Sequence, residues 1–190
     1  HRYLLLLRKT AGSLGVFLLF IVIMAIVFVA NHPWVLIIIV AIIALVVYLR
    51  HREKKKSVEA LLYFKIEELD SLAGTGFEEL LELVFTALGY GVKTTPATGD
   101  QGADLILSKD GRKISVQAKR YSGNIGNSAV QEVHSSINFY GTDEGWVVSS
   151  SEFTNGAKEL AKRTGVRLYN RNETMNLIKM AHDEIQRQKT

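Results

Sequence analysis

The sequence predicts a mixed α/β sheet with flanking helices, preceded by a pair of apolar helices. Three observations lead there. Two uncharged apolar runs, residues 14–30 and 34–49, stand side by side near the N-terminus. Beyond Gly74 the apolar spacing alternates between helical and extended periods in the order α-β-β-β-α-β-α-β. Turn residues punctuate the changes, among them Gly89, Asp110-Gly111 and Gly165. With 190 residues, 47% of them hydrophobic, the chain is long enough for one domain with its own core and an additional segment.

Composition removes several chemistries. The chain has no cysteine, which excludes a disulfide scaffold, a thiolate zinc site, an iron–sulfur cluster and a thiol nucleophile. Its formal charge of +4 is unevenly distributed. Residues 1–56 carry eight Lys/Arg against the single acid Glu53, a net +7, and the remainder carries 15 basic and 18 acidic residues, a net −3. The basic balance belongs to the N-terminal segment, so a nucleic-acid role for the rest needs evidence other than net charge.

The first elements read as a membrane hairpin over residues 1–52. The two runs have 17 and 16 residues, at the short end for a ~30 Å hydrocarbon core, and show no polar face. Asn31-His32-Pro33 between them favours a turn, and Trp34 and Tyr48 sit where amphipathic aromatics settle at an interface. A cleaved signal peptide does not fit, because a second apolar run follows without a small-residue cleavage pattern. Arg8-Lys9 before the pair and Arg50, Arg52 and Lys54–Lys56 after it place both flanks in the cytoplasm by the positive-inside bias. The expectation is a multi-pass protein of the cytoplasmic (inner) membrane, partnered by the lipid bilayer, with the remaining chain facing the cytoplasm.

Residues 53–73 follow as a linker helix: Val58, Leu61, Leu62, Ile66 and Leu69 recur at helical spacing, fitting a stalk or a homo-oligomer face. Ala73–Gly76 breaks the pattern and opens a domain over residues 74–172. Its predicted elements are a helix at 77–88 closed by Gly89, strands at 90–95, 103–108 and 113–119, a helix at 128–140, and a strand at 145–150. A helix at 154–164 capped by Thr154 and a strand at 166–169 complete it, and a separate C-terminal helix follows at 173–190.

The chemistry concentrates in one hairpin. Asp110-Gly111 is the signature of a two-residue type I′ turn, which sets Lys109 opposite Arg112 and Asp104 opposite Gln117. Lys119 lies two residues further along on the same face. A carboxylate and an amide oxygen are hard ligands suited to Mg²⁺, and a nearby ammonium can stabilise developing phosphorane charge. The competing reading is a solvated cross-strand ion pair between Asp104 and Lys119. Gly123–Gly126 lacks the Lys-Ser/Thr of a phosphate loop, and Ser149–Ser151 has no partnered His/Asp pattern. His134 and His182 stand alone on helices and read as structural.

Gly76-Phe77-Glu78, the run from Gly99 to Asp104, Gln117-Ala118-Lys119 with Arg120-Tyr121, and Gln131 on the next helix together resemble the Mrr-type restriction endonucleases. These belong to the PD-(D/E)xK nuclease superfamily, and the resemblance covers about half the chain. It implies a restriction-endonuclease-like αβββαβ core with a mixed central sheet. It also implies Mg²⁺- or Mn²⁺-dependent hydrolysis of phosphodiesters in double-stranded DNA, some members attacking modified DNA. Carried over by position, Asp104 is the metal-binding acid, Gln117 replaces the usual second acid, the Ala118 carbonyl is a further metal ligand and Lys119 is the catalytic lysine. Glu78 is the helix acid reaching the metal or its water, and Gln131 orients substrate or water. Ala103 stands where the superfamily name has Pro, and Gln117 lowers the ligand charge. Glu78 has a rival role as the far end of a capping box from Thr75, Asp100 as a turn former, and Gln131 as an exposed helix residue. Lys119-Arg120 and the group Lys158, Lys162, Arg163 and Arg167 are candidates for phosphate contacts. The resulting expectation is a membrane-anchored DNA endonuclease acting in restriction. The alternative is a membrane-tethered DNA-binding or sensing module that keeps the fold without turnover.

Overall fold

The computed structural model describes residues 19–20, 22–24, 31–32, 34–96 and 101–189. The chain divides into two compact units, His1–Glu53 and Lys54–Thr190. The first expected apolar span, residues 14–30, lies largely outside the described residues, as do Pro33 and Asp100.

Helix α1, Trp34–Ala60, is 27 residues long. Its uncharged part ends at Leu49, and large apolar side chains there, from Trp34 through Ile37 and Val40 to Val47, are exposed around the helix. Among the described residues no helix is long and apolar enough to cross a membrane. At ~1.5 Å per residue the apolar part of α1 covers about 24 Å, short of the ~20 residues that a bilayer core calls for. The expected transmembrane hairpin is therefore not present as such among the described residues.

In the second unit the end of α1 gives way to two 3₁₀ segments, Leu61–Tyr63 and Ile66–Ser71, where the sequence predicts one continuous linker helix. The reason is burial: Leu61 and Leu69 are both fully buried, and Leu62, Phe64 and Leu72 pack on the same core. The Leu61 carbonyl, which a continuing α-helix would use internally, instead meets His182 Nε2 at 2.7 Å and the Phe64 N–H at 3.0 Å. The segment thus belongs to the folded unit rather than standing off it as a stalk.

Helix α2, Gly74–Ala87, is followed by β1 (Gly91–Thr94), β2 (Leu105–Lys109) and β3 (Arg112–Lys119). Then come α3 (Asn127–Tyr140), β4 (Glu144–Ser149), α4 (Asn155–Thr164), β5 (Arg167–Tyr169) and α5 (Arg171–Arg187). The five strands pair in sequence order; β1, β2 and β3 run antiparallel, and β4 and β5 run parallel to β3. Strand alternation sorts the core into two layers. Leu105, Leu107, Ile114, Val116, Ala118, Trp146 and Val148 face α2 and α5, whereas Val147 faces α3 and α4. The C-terminal helix is part of this core, contributing Ile178, Ala181 and Ile185.

Local signals explain the boundaries. Asp110 (φ 51°) and Gly111 (φ 79°) both take the left-handed conformation that a type I′ turn requires. Thr154 caps α4, accepting from the Ala157 N–H at 3.2 Å. At α2 the cap position is Ala73, without a side-chain bond, so Thr75 lies inside the first turn and does not act as the predicted cap. The capping box occurs at α5 instead: Asn170 accepts from the Glu173 N–H at 3.0 Å, and Glu173 accepts from the Asn170 N–H at 2.9 Å.

Candidate active site

The β2–β3 register is the one that the turn dictates, with Lys109 opposite Arg112 and Leu105 opposite Val116. One step beyond the ladder, Asp104 is held by its main chain. Its N–H donates to the Val116 carbonyl at 2.8 Å, and its carbonyl accepts from the Thr95 N–H at 3.0 Å. Its carboxylate oxygen Oδ2 accepts two bonds of 2.6 Å, from Gln117 Nε2 and from the Ala118 N–H. Asp104, Gln117 and Ala118 are thus brought together at the end of the hairpin.

Gln117 is almost fully buried, and its amide meets the carboxylate through nitrogen. The other end of the amide, Oε1, is buried without a hydrogen-bond partner. A buried acceptor left open in this way costs on the order of 1–3 kcal/mol unless a donor or a cation completes it. Ala118 adds to the same side. The N–H and carbonyl of a strand residue point to the same edge, so its carbonyl is also directed toward the Asp104 edge. A carboxylate, an amide oxygen and a main-chain carbonyl form a donor set of hard oxygens, which fits Mg²⁺ or Mn²⁺ completed by water. Among the described residues no cluster of three or more His, Cys, Asp or Glu side chains could hold a metal ion.

Lys119 closes the constellation on the Gln117 face of β3, and its Nζ lies 2.8 Å from Glu132 Oε2 on α3. Gln131, expected to orient substrate or water, is exposed, and its neighbour Glu132 faces the lysine. Helical phase explains the difference: Glu132 is three residues after buried Ala129 and four before buried Ser136, whereas Gln131 points away. The same spacing in the sequence could have pointed to Glu132. Glu78 is half-buried on α2, in the helix layer on the other face of the sheet.

The turn before β2 is packed tightly against α3. Gly102 has φ 84°, and a Cβ there would collide with the Glu132 carbonyl, with its carbon at 2.6 Å. Glycine therefore permits the close approach of this turn to the Glu132 main chain, two residues before Asp104.

Basic residues divide differently from the expectation. Lys158 and Lys162 are exposed on α4, and Arg163 pairs with Glu159 at 3.1 Å. Arg167 leaves that group: its guanidinium lies over the Tyr169 and Trp146 rings, 5.0 and 5.7 Å from their centroids, at the end of the sheet where β4 and β5 begin. Burial pushes the Tyr169 hydroxyl in that cluster up to about 12. Arg120 donates from Nη2 to the Asp70 carbonyl. Asp70 in turn binds Arg171, and the hydrogen bonds and charge of that arginine hold its carboxyl below the usual carboxylate range.

Residues 69–178 match the Mrr_cat family, described as restriction endonuclease. The chain belongs to this restriction endonuclease family. It is also similar to the type IV methyl-directed restriction enzyme EcoKMrr of Escherichia coli (strain K12), with 29% identity over 105 residues. That alignment covers 51% of this chain and 34% of the relative. The restriction endonuclease domain described here thus spans about a third of that relative's length. Among solved structures, the DNA modification-dependent restriction endonuclease AspBHI gives 18% identity and a TM-score of 0.49 over 70% of this chain and 38% of that one. MspJI restriction endonuclease in complex with a 27-mer oligonucleotide gives 18% identity and a TM-score of 0.42 over 58% of this chain and 27% of that one.

Proposed function

We propose that the chain is a divalent-metal-dependent DNA endonuclease, tethered to a lipid bilayer by residues 1–52. The observation that carries the catalytic reading is the Asp104 carboxylate bonded by Gln117 Nε2 and the Ala118 N–H at 2.6 Å, beside a buried Gln117 Oε1 that has no partner. Asp104, the Ala118 carbonyl and, with its amide turned, Gln117 Oε1 would hold Mg²⁺ or Mn²⁺. The ion would supply Lewis-acid polarisation of a phosphate oxygen and a more acidic water. Lys119 carries a positive charge to the scissile phosphate, where it balances charge developing on the phosphorus oxygens. Glu132, 2.8 Å from its Nζ, aims that ammonium and can accept a proton leaving it. The exposed Lys158 and Lys162, one helical turn apart, contact the phosphate backbone of double-stranded DNA. By its likeness to a methyl-directed relative, the substrate is modified DNA and the role is restriction.

The tether rests on the exposed apolar surface of α1 between Trp34 and Leu49, on the uncharged run at 14–30, and on the net +7 of residues 1–56. Spans this short are accommodated by local thinning of the bilayer, with Trp34, Tyr48 and Arg50 anchoring at the interface. The positive flanks set the nuclease domain in the cytoplasm.

Incubation of the full chain with methylated and unmethylated plasmid tests the reading. Nicking is expected with Mg²⁺ or Mn²⁺ and none with EDTA. Absence of cleavage on both DNAs in every metal sinks the enzyme reading, and DNA binding that persists without cleavage favours the sensing module.

A further inference from the structure

We propose that Asp70 is a positioning residue for the candidate active site, a latch that fixes the end of β3 on which Lys119 is carried. Its catalytic meaning depends on the nuclease reading above; its geometry does not. Asp70 lies near the end of the second 3₁₀ segment and acts twice. Its carboxylate grips the Arg171 guanidinium end-on, Oδ1 accepting from Nη1 at 2.5 Å and Oδ2 from Nη2 at 2.7 Å. This is the bidentate arrangement that gives arginine–carboxylate pairs both strength and direction. Its main-chain carbonyl accepts from Arg120 Nη2.

Both arginines lead back to the residues around Lys119. Arg120 follows it directly in the chain. Arg171 donates from Nη1 to the Ser150 carbonyl at 3.0 Å and from its main-chain N–H to the Ser151 carbonyl at 3.2 Å. Ser150 in turn donates its N–H to the Lys119 carbonyl at 3.2 Å, and its Oγ accepts from the Tyr121 N–H at 3.3 Å. Residues 119–121 are thus held from two directions, through the Arg120 side chain and through the Ser150 main chain.

Strand alternation gives the latch its effect. Arg120 leaves β3 on the face opposite Lys119, so anchoring Arg120 resists the roll of the strand end that would swing Lys119 away from Asp104 and Gln117. Arg120 Nε is buried without a partner. Loss of the Asp70 carbonyl would leave that guanidinium poorer still in acceptors, so the latched state is favoured while the Asp70–Arg171 pair holds.

The test compares the full chain with Asp70→Asn, Asp70→Glu and Arg171→Lys, the last keeping the charge but losing the fork. Displacing a positioned group by ~1 Å can cost ~100-fold, so Asp70→Asn is expected to lower kcat for metal-dependent DNA cleavage about 10- to 100-fold. KM should stay within about twofold, and Asp70→Glu should restore part of kcat, because Asp70 acts on the reacting group rather than on DNA binding. Amide hydrogen exchange on the same proteins should show Ser150 and Tyr121 exchanging faster in Asp70→Asn while Val116 and Val148 are unchanged. An unaltered kcat, or unaltered exchange at Ser150 and Tyr121, overturns the proposal. If the wild-type chain cleaves no DNA, the nuclease reading fails and the exchange comparison alone decides the latch. If Asp70→Asn does not fold, Arg171→Lys carries both comparisons.

Discussion

Gly102 sets how closely the turn before β2 can approach helix α3. Its backbone is left-handed, and the Glu132 main chain occupies the space that a side chain would need. Gly102→Ala combines an unfavourable φ with a backbone collision and should destabilise the domain by roughly 2–3 kcal/mol, read as a lower denaturant midpoint. It should also loosen the Lys119–Glu132 pair, because Glu132 must retreat to make room. At this scale the sequence was legible where the chemistry was local. Asp104, Gln117 and Lys119 follow from one turn signature and a two-residue period. Glu132 required a third element to be docked in the correct phase, which spacing within the hairpin alone does not supply. Asp70 and Arg171 were not legible at all, since a carboxylate and a guanidinium 101 residues apart are joined only by the tertiary fold.

Among the elements, strands and turns were the most readable. Each predicted strand is present with its ends shifted by no more than two residues, because a buried sheet tolerates only one register. The linker departs from the continuous helix that the sequence predicts because helical spacing of leucines reports an apolar face without saying what that face meets. Here it meets the domain core, and the helix gives way to 3₁₀ turns after Ala60. The start of α5 was placed too late, at Glu173 rather than Arg171, because the capping box of Asn170 and Glu173 went unread. Both bonds of that box are made, so Asn170→Ala should cost about 1 kcal/mol, measured by equilibrium denaturation. The cost matters for the site as well, because Arg171, the first residue of α5, carries the fork that holds Asp70.

For the whole molecule, charge and apolar surface divide the labour. The net positive charge belongs to the first 56 positions, and the remainder of the chain is slightly acidic. A bilayer tether makes a direct prediction: the full chain should float with liposomes in a density gradient at high salt. If it stays with soluble protein, the exposed apolar face of α1 has another cover. Tethering of this kind would restrict cleavage to DNA passing close to the membrane.

In the proposed function the hairpin end is a catalytic site whose working cation is Lys119. The most direct measurement is single-turnover cleavage of saturating DNA by the full chain in Mg²⁺ or Mn²⁺, with Lys119→Ala compared against wild type. Removal of a preorganised charge from the reacting phosphate should slow cleavage by at least about 100-fold while DNA binding is retained. Cleavage by Lys119→Ala at the wild-type rate would contradict a catalytic role for Lys119.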